Sequence, residues 1–149
     1  MTPSEWLRGT QRLFLDTAPV IYFVEDNPAY RGRVQPVFEM LDGGNLAVVT
    51  SPVTLLECLV HPYRLRQWET VAQFRELIVS SDNVTFVLTD QLIAEHASQL
   101  RAQHNLTLPD AIQAATALSL SCDAFLTNDP IFKRVPELNA LVLDDWRLE

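Results

Sequence analysis

Lysine is nearly missing from this chain, with Lys133 its only representative. Eleven Lys and Arg stand against 19 Asp and Glu, a formal net charge of −8. That balance excludes a protein that coats nucleic acid through bulk electrostatics. It leaves room for a nuclease with a small footprint, because a bound cation offsets part of an acidic site's charge. Cysteine is scarce too. Cys58 and Cys122 make neither a metal motif nor a disulfide framework. Both lie in apolar sequence and read as buried thiols in a reducing cytoplasm. No apolar run approaches the roughly 20 residues that span a bilayer, so no membrane location is expected. Met1-Thr2-Pro3-Ser4-Glu5-Trp6 lacks a basic segment followed by an apolar stretch, and no signal peptide is read there.

What is present suits an ordinary globular chain. Its 149 residues, 48% hydrophobic and 20% charged, fit one domain over 1–149 with a full core. Short apolar segments predict strands at Arg12-Leu13-Phe14-Leu15, Leu46–Thr50, Val84–Leu88, Ala124–Thr127 and Leu141–Leu143. Helices are predicted between them. One starts at Asp16-Thr17-Ala18-Pro19 and one near Asn27-Pro28, with Pro36 imposing a kink or a late start and Gly43-Gly44 a stop. Ser51-Pro52 starts a third, which should break at His61-Pro62. A fourth runs from about Leu65 to Val79, and a fifth runs to about His104 after a cap at Thr89. A sixth, rich in alanine, opens at Leu108-Pro109-Asp110, and Asp129-Pro130 starts a short helical turn. Apolar strands alternating with helices indicate an α/β fold with a mainly parallel sheet covered on both faces.

Four acids break the apolar pattern. Asp16 ends Leu13-Phe14-Leu15, and Glu57 interrupts Val53–Val60. Asp110 opens a small apolar helix, and Asp129 closes Ala124–Asn128. Carboxylates beside core segments are rarely buried unless paired or holding a metal. In a parallel α/β sheet, functional groups gather at the carboxyl ends of the strands, where all four can meet. Carboxylates without a matching His or Cys set favour hard cations, chiefly Mg²⁺ or Mn²⁺.

Each acid also has an ordinary structural explanation. Asp16 and Asp129 can cap helices. Asp110 can face a helix dipole. Glu57 can pair with Arg64 or Arg66. The basic pairs Arg31/Arg33, Arg64/Arg66 and Lys133/Arg134 read as solvated surface. As phosphate contacts, Arg64, Arg66, Lys133 and Arg134 are the candidates. His61, His96 and His104 lack ligand spacing. Trp6, Trp68 and Trp146 read as core or interface anchors.

The ordered set Leu13-Phe14-Leu15-Asp16-Thr17, Thr54-Leu55-Leu56-Glu57, Leu108–Ala115 and Phe125-Leu126-Thr127-Asn128-Asp129 resembles the motifs of a PIN domain, nearest to VapC-like toxins. The resemblance spans roughly residues 11 to 145. It implies a three-layer α/β/α sandwich and a Mg²⁺-dependent endoribonuclease, the toxin of a type II toxin–antitoxin pair. It carries over Asp16, Glu57, Asp110 and Asp129 as catalytic and metal-holding residues, with Thr127 as a supporting hydroxyl. RNA is the implied substrate, and an antitoxin and a second copy of the chain are the implied partners. Ile131 departs from the pattern, since family members often carry an acid there, which bears on a second metal. The rivals are a PIN nuclease of RNA processing without an antitoxin and a binding module that keeps the fold without turnover. A haloacid-type phosphatase would need Asp-x-Asp after the first strand, and Asp16-Thr17-Ala18 offers none.

Overall fold

The computed structural model describes residues 2–148. Five strands form one sheet: β1 (Arg12–Leu15), β2 (Ala47–Thr50), β3 (Val84–Phe86), β4 (Ala124–Thr127) and β5 (Ala140–Val142). Their order is β3-β2-β1-β4-β5, and every neighbouring pair is parallel. The two-residue alternation of a strand gives the sheet two apolar faces. Leu13 and Leu15 of β1 point to one face and Phe14 to the other. Phe14 lies in register with Val49 of β2 and Phe125 of β4, and the two rings stack at 4.9 Å.

Both faces are covered. On the Leu13/Leu15 side, the core takes Val20 from α2 (Thr17–Val24) and Val34 and Phe38 from α3 (Arg31–Asp42). It also takes Cys58 from α4 (Pro52–Arg64) and Phe74 from α5 (Trp68–Arg75). On the Phe14 side it takes Ile93 and Ala97 from α6 (Gln91–His104), and Ala111 and Ala114 from α7 (Leu108–Ser119). The result is the three-layer α/β/α arrangement. A short α1 (Pro3–Trp6) precedes β1, and its Trp6 packs on the fully buried Trp146 with ring centres 5.6 Å apart. Both of these tryptophans are anchors, as expected, whereas Trp68 is exposed and meets Tyr63 edge-on. Cys58 is buried and Cys122 only half-buried.

Several boundaries differ from expectation. The helix expected near Asn27-Pro28 starts at Arg31. Asn27 instead folds its side chain into a turn, its Oδ1 accepting the Ala29 N–H at 2.9 Å. Pro62 does not break α4, which continues to Arg64. A proline in the last turn forfeits one backbone bond, and here its ring is buried against the core. The β3 strand stops at Phe86, and the cap of α6 is Asp90, not Thr89, its carboxylate accepting the Ile93 N–H at 2.8 Å. The α5 helix ends in a π-helical turn over Glu76–Ser80. The last strand is Ala140–Val142. Among the described residues no helix is long and apolar enough to cross a membrane.

Candidate active site

The chain moves outward from β1 through β2 to β3, then returns to the other side of β1 for β4 and β5. At such a reversal the connections leave adjacent strands in opposite directions, opening a crevice at their carboxyl ends. Asp16 follows β1 directly and Asp129 stands two residues past β4.

Asp16 occupies the position that precedes α2, yet its side chain makes no capping bond. It turns inward and is 8% exposed. One oxygen, Oδ2, accepts from Thr127 Oγ1 at 2.7 Å, and Oδ1 accepts from Gln113 Nε2 at 3.3 Å. Burial pushes the Asp16 carboxyl up to about 6, against the pull of these bonds, and the Glu57 charge adds to the rise.

Glu57 points from α4 into solvent, with Oε1 accepting from Thr17 Oγ1 at 2.8 Å. It forms no ion pair with Arg64 or Arg66. The ion pairs among the described residues are Arg31–Asp26 and Lys133–Asp145. Asp110 sits in the first turn of α7, which Thr107 caps, and is half-buried. Burial raises its carboxyl above the usual range, and the Asp129 and Glu57 charges push the same way. Asp129 does act as a cap. Its Oδ1 accepts the Ile131 N–H at 3.0 Å, opening the 3₁₀ turn Pro130–Arg134. Its own N–H donates to Thr127 Oγ1 at 3.0 Å, so Thr127 ties the Asp129 loop to Asp16.

The acids act on one another in pairs: the Glu57 charge raises the Asp16 carboxyl, and the Asp129 and Glu57 charges raise that of Asp110. Among the described residues, no three His, Cys, Asp or Glu side chains close around a single point as a ready cage. That is compatible with Mg²⁺, which keeps several waters and is bound through one or two carboxylates. The donors are all oxygen, and the charge they concentrate is of the sign a divalent cation relieves. On donor chemistry the site fits such an ion.

Four supporting residues escaped the sequence reading: Thr17, Ser51, Thr54 and Gln113. Gln113 is 1% exposed. It donates to Thr54 Oγ1 at 2.7 Å as well as to Asp16, and accepts from Ser51 Oγ. The available signal was a lone amide within Asp110–Ala117, a stretch otherwise poor in polar side chains. The basic candidates divide. Arg64 and Arg66 are exposed and, among the described residues, outside any ion pair. Lys133 is held by Asp145 at 2.5 Å, and Arg134 Nη1 donates to the carbonyls of His104 and Asn105 at 3.5 and 3.3 Å.

Solved structures of similar fold include VapBC from Salmonella typhimurium bound to DNA. It has a TM-score of 0.70 and 20% identity, over 89% of this chain and 98% of that one. VapC20 of Mycobacterium tuberculosis, a Sarcin-Ricin loop cleaving toxin, aligns with a TM-score of 0.69 and 15% identity, over 85% and 97%. A toxin–antitoxin complex from Klebsiella pneumoniae aligns with a TM-score of 0.63 and 22% identity, over 88% and 97%. At these identities the likeness is one of fold. No curated protein sequence matches the chain. The family model described as PIN domain matches residues 13–138, which takes in all four acids and, apart from Arg12, the first four strands. The chain belongs to the PIN domain family.

Proposed function

We propose that this protein is a Mg²⁺- or Mn²⁺-dependent endoribonuclease and the toxin of a type II toxin–antitoxin pair. One observation carries the reading. Asp16 is a buried carboxylate beside the central strand, unspent on its helix and held by two side-chain donors within a group of four acids.

A divalent cation held there by carboxylates and waters lowers the pKa of a bound water and polarises a phosphodiester. The chain's own part is to hold and aim. Thr127 and Gln113 fix both oxygens of Asp16, and Thr17 fixes Glu57. Glu57 and Asp129 are exposed and reach toward whatever enters the crevice. No side-chain nucleophile is needed. The nearby Cys58 thiol is unsuited to that role, since burial holds it far above the ordinary thiol range. Arg64 and Arg66 are free to meet RNA phosphates, while Lys133 and Arg134 must first leave their internal partners. An antitoxin partner is supported by the toxin–antitoxin complexes that share the fold and by the apolar outer face of α4, where Leu56, Val60 and Tyr63 are exposed. An arginine from such a partner would pair with the acid cluster. A homodimer and a cytoplasmic setting complete the proposal.

The test is purified protein on total RNA. Cleavage is expected with Mg²⁺ or Mn²⁺, none in excess EDTA, and a loss of at least a hundredfold or so in folded Asp16→Asn and Asp110→Asn, in line with removal of an electrostatic catalytic group. Full cleavage in EDTA, or normal cutting by both variants, rejects the mechanism. A neighbouring reading frame for a small DNA-binding protein, rescuing toxicity on co-expression, supports the toxin role. A harmless protein without such a neighbour moves the reading to an RNA-processing nuclease.

A further inference from the structure

Gln113 occupies a place where an amide is costly to bury and its direction is fixed by its neighbours. Ser51 Oγ accepts the N–H groups of Val53 and Thr54 at 3.1 and 3.4 Å, as the cap of α4. With both acceptor positions used, the Ser51 hydroxyl has only its proton left, and that goes to Gln113 Oε1. Thr54 Oγ1 sends its one proton to the Leu15 carbonyl at 3.2 Å, so its neighbour in the amide must be a donor. Two separate constraints thus turn the amide the same way, with oxygen toward Ser51 and nitrogen toward Thr54 and Asp16. Asp16 Oδ1 is met by an N–H regardless of how the amide would otherwise lie.

The same side chain joins the segments that carry three of the acids. Gln113 is three residues after Asp110 on α7. Thr54 is three residues before Glu57 on α4. Leu15, whose carbonyl Thr54 holds, adjoins Asp16. In a helix, a separation of three brings residues to one face, so each link is one turn from its acid.

We infer that Gln113 is a positioning residue of the acidic site: its amide orients the Asp16 carboxylate and holds the ends of α4 and α7, with Glu57 and Asp110, against it. The inference rests on reading the four acids as a divalent-cation site. Partners that orient a metal ligand through a hydrogen bond are typically worth 10–100-fold in metal affinity or activity.

The test measures Mn²⁺ binding to metal-free protein by the resonance signal of the free ion, alongside thermal melting. Gln113→Met keeps length and helix propensity but removes the amide. It is expected to melt lower, because Ser51 and Thr54 lose partners, and to bind Mn²⁺ at least about tenfold more weakly. Adding Thr54→Val removes the hydroxyl that lost the amide donor, together with its bond to the Leu15 carbonyl. This double variant should melt no lower than Gln113→Met without regaining Mn²⁺ affinity. Ser51→Ala combined with Thr54→Val, which leaves the amide but removes both constraints on its orientation, should weaken binding by a smaller factor, and it decides the matter if neither Gln113 variant folds. Wild-type affinity in Gln113→Met, affinity recovered together with stability when Thr54→Val is added to it, or full affinity in Ser51→Ala with Thr54→Val overturns the role of Gln113 alone. A wild-type protein that binds no Mn²⁺ overturns the cation site itself, and this inference with it.

Discussion

Asp16 shows what burial does to one charge. Its carboxyl titrates near 6 in the folded protein, against about 4 in an unfolded chain. Between those values the native state holds a proton that the unfolded chain has released. Stability from this group is therefore complete below about pH 4 and lost as pH rises through about 6. At neutral pH the metal-free protein carries a strained, ionised Asp16. Asp16→Asn should then be more stable than wild type at pH 7.5 in EDTA, by on the order of 1–3 kcal/mol, with the gain shrinking toward pH 4.5. The gain stays below the full shift because an asparagine amide sets a donor against a donor at Thr127 or Gln113. Thermal melts at the two pH values check this. A variant less stable than wild type at both would mean that Asp16 is a structural bond and not a strained charge. The same strain is what a cation of the proposed kind would relieve, which would link the stability of the site to its chemistry.

At the scale of elements, α4 has two sides of different purpose. Thr54, Cys58 and Pro62, spaced by four, face inward and are buried. Leu56, Val60 and Tyr63, spaced by four and three, face solvent at 64%, 38% and 44% exposure. The outer side contributes little to the fold. Leu56→Ser with Val60→Ser should shift stability by no more than about 0.5 kcal/mol per site, while an antitoxin that docks there should no longer copurify. A large drop in melting temperature, or unchanged copurification, counts against that division. Elements of this kind were legible where one local signal dominated. β1, β2 and β4 announced themselves as apolar runs, because strands buried on both faces need every side chain apolar. Ser51-Pro52 and Leu108-Pro109 marked helix starts because proline suits a first turn. Pro62 misled because its cost depends on burial, which lies outside the local sequence. α1 is one turn long, too short to carry a periodicity.

At the scale of the whole molecule, the four acids could be read from sequence because each borders or interrupts an apolar run, and chain order placed three of them at strand or helix ends and Glu57 inside the helix after the second strand. What supports them could not. Gln113 meets Ser51 and Asp16 across 62 and 97 positions of chain. Nothing local distinguishes a glutamine that joins three segments from one that faces water. The capping explanation was likewise undecidable in advance. It proved true of one oxygen of Asp129 and untrue of Asp16, two acids in similar sequence settings.

The packing of Trp6 against Trp146 makes the described chain almost a ring. The order in which its elements are written is then separable from the order in which they pack. Joining the two ends by a short flexible linker, and opening the chain at the exposed Gly43–Gly44 turn, cuts no strand and no core contact. Such a permutant should melt cooperatively and keep the acid group, even though Asp16 would then come last of the four. A permutant without a cooperative transition would show that the covalent link from β1 through α2 and α3 to β2 is itself required. A protein that passes has its site specified by three-dimensional neighbours alone, with the linear sequence only one of several ways to thread them.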